Sequence, residues 1–125
     1  MPSNRGPATE VKMVLVVRGE LRLTAGKMAA QVAHAAVMLS DRAKSREANL
    51  QEAWRQQGQK KIVLTVERLD DLEKVERAAR ARGLPTVWVE DAGLTEVPPG
   101  TRTVLGIGPA RATDLDPVTG DLDLM

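Results

Sequence analysis

Four runs of apolar residues punctuate the chain, and helical spacing fills two of the gaps between them. KMVLVVR (12–18) is a continuous, largely β-branched run, the pattern of a strand buried on both faces. KKIVLTVE (60–67), PTVWVED (85–91) and TRTVLGIGP (101–109) read as three further strands. After a loop, GELRLTAG (19–26), a helix is predicted from about Gly26 to Arg42, with Thr24 as its N-cap. A second helical segment runs from about Ser45 to Gln57, polar on most sides, anchored by Ala48 and Trp54 and capped by Gly58. LDDLEKVERAARARG (69–83) is an amphipathic helix begun by Asp70 or Asp71 and ended by Gly83 before Pro85. The tail carries a short turn near Ala110–Asp114 and a final VTG turn. Residues 1–10 are polar, with Pro and Gly, and are expected to be a flexible segment; residues 11–125 form one domain.

Strands alternating with helices predict a three-layer α/β domain. The expectation is a mixed four-stranded sheet flanked by helices: three parallel strands, because helices connect them, plus one antiparallel strand. The link from Asp91 to Gly100 is too short for a helical crossover, so the fourth strand returns antiparallel to the third. Open α/β sheets place ligands beyond the carboxyl ends of their parallel strands. Arg18 and Asp91 fall at such ends, Lys27 begins the helix leaving that edge, and Thr103 begins the strand returning to it.

The first helix has an unusual polar pattern. Between Ala25 and Val37 its polar side chains are Lys27, Gln31 and His34, which share one stripe. Met28, Val32, Ala35, Ala36 and Leu39 form an apolar face, and the remainder is alanine. A thin solvated seam on a core helix accounts for this about as well as a pocket wall does. The alanine flanks favour the pocket, since small side chains let a large ligand approach. Lys27 also sits in the first turn, where the helix dipole disfavours a cation but a phosphate or developing oxyanion is well held.

Composition narrows the chemistry. Aromatic residues make up 2% of the chain, so a sheet that stacks RNA bases on exposed rings is not indicated. Net charge is +1, which requires any polyanion site to be a local patch. With no cysteine and one histidine, thiol nucleophiles, zinc-thiolate sites and His-rich metal sites are excluded. No 18-residue apolar run or signal-peptide core occurs, which makes a cytoplasmic protein the expectation. The Lys27–Gln31–His34 stripe is not a P-loop, and neither a G-x-S-x-G elbow nor a local Ser–His pair is present. What remains at the predicted edge is Asp91 with Thr95, Thr103 and Lys27. A carboxylate there orients a water or hydroxyl, and a lysine stabilises negative charge.

Taken together, VLVVRGEL, TAGKMAAQVAHAAV, GQKKIVL, VEDAGLTEVPPGT and TVLGIGPA, in this order, resemble the archaeal and eukaryotic-type peptidyl-tRNA hydrolase family. The resemblance extends from about Lys12 to the closing VTGDLDLM. It implies a compact α/β domain, commonly a homodimer, that needs no cofactor or metal and hydrolyses the ester joining a peptide to the 3′ end of tRNA. The family's active-site lysine falls on Lys27, its aspartate on Asp91 and its threonines on Thr95 and Thr103. Its helix glutamine and histidine fall on Gln31 and His34. Some members carry Arg and Gln where this chain has Leu94 and Glu96, which removes one candidate tRNA contact.

The mechanism this implies is water attack on the ester. Asp91 orients or deprotonates the water, directly or through a threonine, and Lys27 holds the oxyanion or a terminal phosphate. His34 is either a second acid–base group or a satisfied hydrogen-bonding residue under the site. Arg18 and Arg22 are candidate substrate contacts, with Arg68 and Arg102 on the same edge. Lys12, Lys60 and Lys61 are placed on the far edge. The alternative is a non-catalytic module of the same fold that docks an RNA end or a protein; a small-molecule regulatory domain has no supporting motif.

Overall fold

The first apolar run forms the centre of the sheet. In the computed structural model, which describes residues 10–92 and 96–125, β1 (Val11–Arg18) is apolar on both faces. It pairs with β2 (Lys61–Val66) in parallel, Leu15 opposite Val63, and with β4 (Arg102–Arg111) antiparallel. β3 (Thr86–Glu90) pairs antiparallel with β4. A short β5 (Asp123–Leu124) adds to the outer edge of β2. The order is therefore β3-β4-β1-β2-β5.

This corrects the expected sheet in two respects. The described residues form five strands, not four, and one neighbouring pair, β1–β2, is parallel. β1, β2 and β3 do run in one direction, but β4 lies between β3 and β1. The reason is burial: β4 is buried from Thr103 to Ala110, and a strand covered on both faces must pair its backbone along both edges. β3, only partly buried, is left at the edge.

Helices cover both faces, giving the expected three layers. On one side lie α1 (Ala25–Arg46) and α2 (Ala48–Gln56), packed on Met13, Leu15, Val17 and Val104 through Ala35, Leu39 and Trp54. On the other lie α3 (Leu69–Ala81) and α4 (Ala112–Thr119), packed on Val14, Val16, Leu105 and Ile107 through Leu72, Val75 and Leu115. β1 alternates between the two cores, as the two-residue period of a strand requires. α4 replaces the turn expected near residues 110–114; Pro117 inside it obscures the helical spacing of its buried positions, Ala112, Leu115 and Thr119. Trp54 anchors α2 as expected, whereas Ala48 is exposed and the buried partner is Gln51. No described helix is long and apolar enough to cross a membrane.

Two backbone details position the edge at which β1 and β3 end. α1 packs tightly on β4 at Gly106, where an added Cβ would lie 2.9 Å from Leu39 Cδ1 and 3.0 Å from Val87 Cγ2. Next to the edge, Val89 pairs with Val104 but Glu90 pairs with Arg102, so Thr103 is the extra residue of a bulge. Bulges redirect side chains at sheet margins, and Thr103 is the residue whose hydroxyl meets α1.

Candidate active site

Asp91 follows the last residue of β3. Its backbone is pinned from both directions: its N–H donates to the Thr101 carbonyl at 2.9 Å, and its carbonyl accepts from Gly100 N–H at 2.8 Å. Its carboxylate has no solvent exposure. A charge so placed needs close partners, and α1 supplies them. Lys27 Nζ lies 2.6 Å from Asp91 Oδ2, and Gln31 Nε2 lies 3.4 Å from the same oxygen. The Gln31 amide also donates to Thr103 Oγ1 at 2.8 Å, and the Thr103 hydroxyl donates to the Val89 carbonyl at 3.3 Å. Lys27, Gln31, Asp91 and Thr103 therefore form one connected cluster, in which Gln31, Asp91 and Thr103 are buried. Lys27 is the member that opens to solvent, with its side chain 21% exposed.

The other predicted residues that the structure describes stand apart from this cluster. Thr95 lies outside the described residues. His34, one turn beyond Gln31, is exposed and makes no hydrogen bond to a described residue, so it is not the satisfied group considered as one of its two roles. Arg18 is on the expected edge and donates to the Arg102 carbonyl at 3.3 Å, but its Nε is engaged by Glu20 at 2.6 Å. That hydrogen bond from Arg18 is the main cause holding Glu20 below the usual carboxylate range. Arg22 is exposed and follows the 3-10 turn Gly19–Leu21 in a left-handed conformation, φ 50°. Arg102 stacks on Trp88, 4.4 Å from the ring centroid. Lys12 and Lys61 sit at strand starts, away from this edge, and take local partners: Asp116 for Lys12, the Gln59 carbonyl and the Trp54 ring for Lys61.

One residue of this edge is hidden in the sequence, where it figures only as a departure from the family pattern. Glu96 reaches the start of α1 and accepts from Thr24 N–H at 3.0 Å and from Thr24 Oγ1 at 2.6 Å. Thr24 does occupy the N-cap position, but its hydroxyl serves Glu96 and makes no cap bond. An anion at a helix N-terminus complements the dipole, and it ties the β3–β4 connection to the helix that carries Lys27. The Thr24 hydroxyl, then the Thr24 N–H, hold Glu96 below the usual carboxylate range, with Lys27 adding to the effect and Asp91 opposing it. The sign follows. The latch is fully present above the ordinary carboxylate range and is lost as pH falls through the lowered pKa. An NMR titration should find Glu96 below ordinary glutamates in the wild type and moved up in Thr24→Val. An ordinary value in the wild type, or no response to that substitution, would refute the latch.

Among the described residues no three His, Asp or Glu side chains converge in a way that could hold a metal ion. The chemistry of the cluster is that of a buried carboxylate paired with a partly open ammonium, with a hydroxyl and an amide holding both in register.

Comparison with known proteins follows the same lines. The chain matches the family Peptidyl-tRNA hydrolase PTH2 over residues 11–125. It is 52% identical over 114 residues to the peptidyl-tRNA hydrolase of Methanopyrus kandleri, covering 91% of this chain and 97% of that protein. It is 48% identical over 119 residues to the peptidyl-tRNA hydrolase of Saccharolobus islandicus (strain L.S.2.15), covering 92% and 99%. It is 44% identical over 114 residues to that of Thermococcus onnurineus, covering 91% and 97%. A match of this extent, carried by a chain whose lysine and aspartate meet at the sheet edge, places it: this chain belongs to the PTH2 family of peptidyl-tRNA hydrolases.

Proposed function

We infer that this enzyme hydrolyses the ester between a peptide, or an N-blocked amino acid, and the 3′ end of tRNA, by direct attack of water at the Lys27–Asp91 pair. The observation that carries the reading is the 2.6 Å approach of an ammonium open to solvent to a carboxylate with no exposure. A purely structural ion pair gains little by leaving its lysine partly open to solvent, in a helix turn whose dipole opposes it.

On this reading the water sits against the pair. As its oxygen bonds to the ester carbon, its proton passes through Thr95 to Asp91, whose carboxylate is itself closed to solvent, and negative charge gathers on the carbonyl oxygen, where Lys27 stabilises it. The intermediate then collapses: the bond from carbon to the tRNA 3′-oxygen breaks, and that oxygen takes the proton back from Asp91. The products are the carboxylic acid of the peptide, which gives the water's second proton to solvent and becomes a carboxylate, and the 3′-hydroxyl of tRNA. Gln31 and Thr103 position the carboxylate and do not touch the ester. Thr95 is retained in the proposal as a group orienting the water.

The direct test is turnover. Purified protein incubated with N-blocked aminoacyl-tRNA should release the blocked amino acid and deacylated tRNA. Tight binding of the substrate without cleavage would instead favour a docking module of this fold.

The proposal extends to a homodimer working in the cytoplasm. An open apolar flank of α1, including Ala29, Ala33 and Val37, supports a second copy there. Sedimentation at micromolar concentration giving the monomer mass would remove that part.

A further inference from the structure

The polar stripe of α1 does not stop at His34. Continued at helical spacing it passes Met38 and reaches Arg42. Gln31 touches Asp91 at the end of β3, and Leu39 and Val87 converge where a Gly106 Cβ would sit. The stripe therefore follows β3, an edge strand, from its end back to its beginning. At that beginning lies a surface pocket of about 500 Å³, lined by Arg42 from α1, Arg80 and Glu76 from α3, and Thr86 and Trp88 from β3.

Its two arginines come from helices on opposite faces of the sheet and converge at the start of the edge strand. Arg42 has no ion-pair partner among the described residues, and Arg80 has only a distant one, Glu76 at 3.9 Å. Trp88 Nε1 donates to the Glu76 carboxylate at 2.9 Å, and two arginines against this one carboxylate leave the pocket a net positive charge. Between this pocket and Asp91, Arg102 lies over the Trp88 ring. From Lys27 to Arg42 is about 22 Å along the helix, a span of several nucleotides.

We propose that Arg42 and Arg80 form a phosphate-binding site for the tRNA body. It would grip the backbone upstream of the 3′ end while the terminal ester lies at Lys27 and Asp91. This rests on the hydrolase reading above and adds where the RNA runs: along the edge strand β3, with His34 on its α1 side and Arg102, stacked on Trp88, on its α3 side. It also explains how a chain of net charge +1 holds a polyanion, since backbone recognition needs only a few well-placed cations and arginine matches phosphate bidentately. The expected interaction is with phosphate, hence insensitive to tRNA sequence.

The test compares Arg42→Gln, Arg80→Gln and their double variant with the wild type and with Arg55→Gln on α2, outside the pocket. Two substrates are used: full-length N-blocked aminoacyl-tRNA, and the same amino acid esterified to a CCA trinucleotide too short to reach the pocket. Removing one cation that neutralises a phosphate should flatten the log–log salt dependence of full-length tRNA binding by roughly 0.7–0.9. The preference for full-length over short substrate should fall in the pocket variants and hold in Arg55→Gln. Salt slopes equal to wild type in both single variants and the double would overturn the site. So would an equal loss on both substrates, which signals a disturbed catalytic edge. Failure of the wild type to cleave either substrate would instead strike at the hydrolase reading itself.

Discussion

Asp91→Asn should lower turnover of N-blocked aminoacyl-tRNA by roughly 10²–10⁴-fold, the range for loss of a general base. The substitution keeps the shape of the side chain and its place between Thr101 and Gly100, whose hydrogen bonds are to the Asp91 backbone. What it removes is the charge opposite Lys27 and the oxygen proposed to accept the water's proton. Lys27 is then unpaired, but its side chain reaches solvent, so the fold should survive. A melting curve tells a catalytic loss from an unfolded one. Near-wild-type turnover with a normal melting temperature would end the catalytic role of Asp91 and leave it as a fastener between β3 and α1.

Lys27→Met should cost roughly 10²–10³-fold in kcat, the value typical of deleting one oxyanion donor. Methionine is a good helix former and keeps an aliphatic stem, so α1 should persist. The split between constants is decisive. A rise in KM at constant kcat would make Lys27 a phosphate ligand, and the oxyanion role would go. The double variant adds a second check. Residues that act as a unit are strongly non-additive, so Asp91→Asn with Lys27→Met should be little worse than the poorer single. Losses that multiply would mean that the 2.6 Å pair acts as two independent groups.

Much of this site is legible in the sequence because its signals are local. The stripe of Lys27, Gln31 and His34 is a matter of helical spacing, and the carboxyl-end rule brings Asp91 and Lys27 to one edge without knowing the strand order. The meeting of Gln31 with Thr103 is less accessible, since it depends on a bulge that only the β3–β4 register reveals. His34 shows the limit of spacing: it lies on the right stripe, yet it is exposed, one turn beyond the buried end of the cluster. Glu96 could not be assigned from pattern, because a partner supplied from 72 positions away leaves no trace near the helix it serves. The tail is hard to read for two reasons. Pro117 argues against a helix, and two residues of strand, Asp123 and Leu124, are too few to show a period.

The insertion of β4 between β3 and β1 has a consequence for synthesis of the chain. Until residues 102–111 have emerged, β1 and β3 have no common neighbour, and Asp91 faces α1 without the strand that carries Thr103. Pairings this distant in sequence form late and slowly. A nascent chain ending near Gly100 should therefore hold β1, α1 and β2 together but leave β3 undocked, and a protease should cut it between Leu84 and Glu90. This enzyme, whose substrates are peptides still esterified to tRNA, thus assembles the edge that joins Asp91, Gln31 and Thr103 only after residues 102–111 have been made.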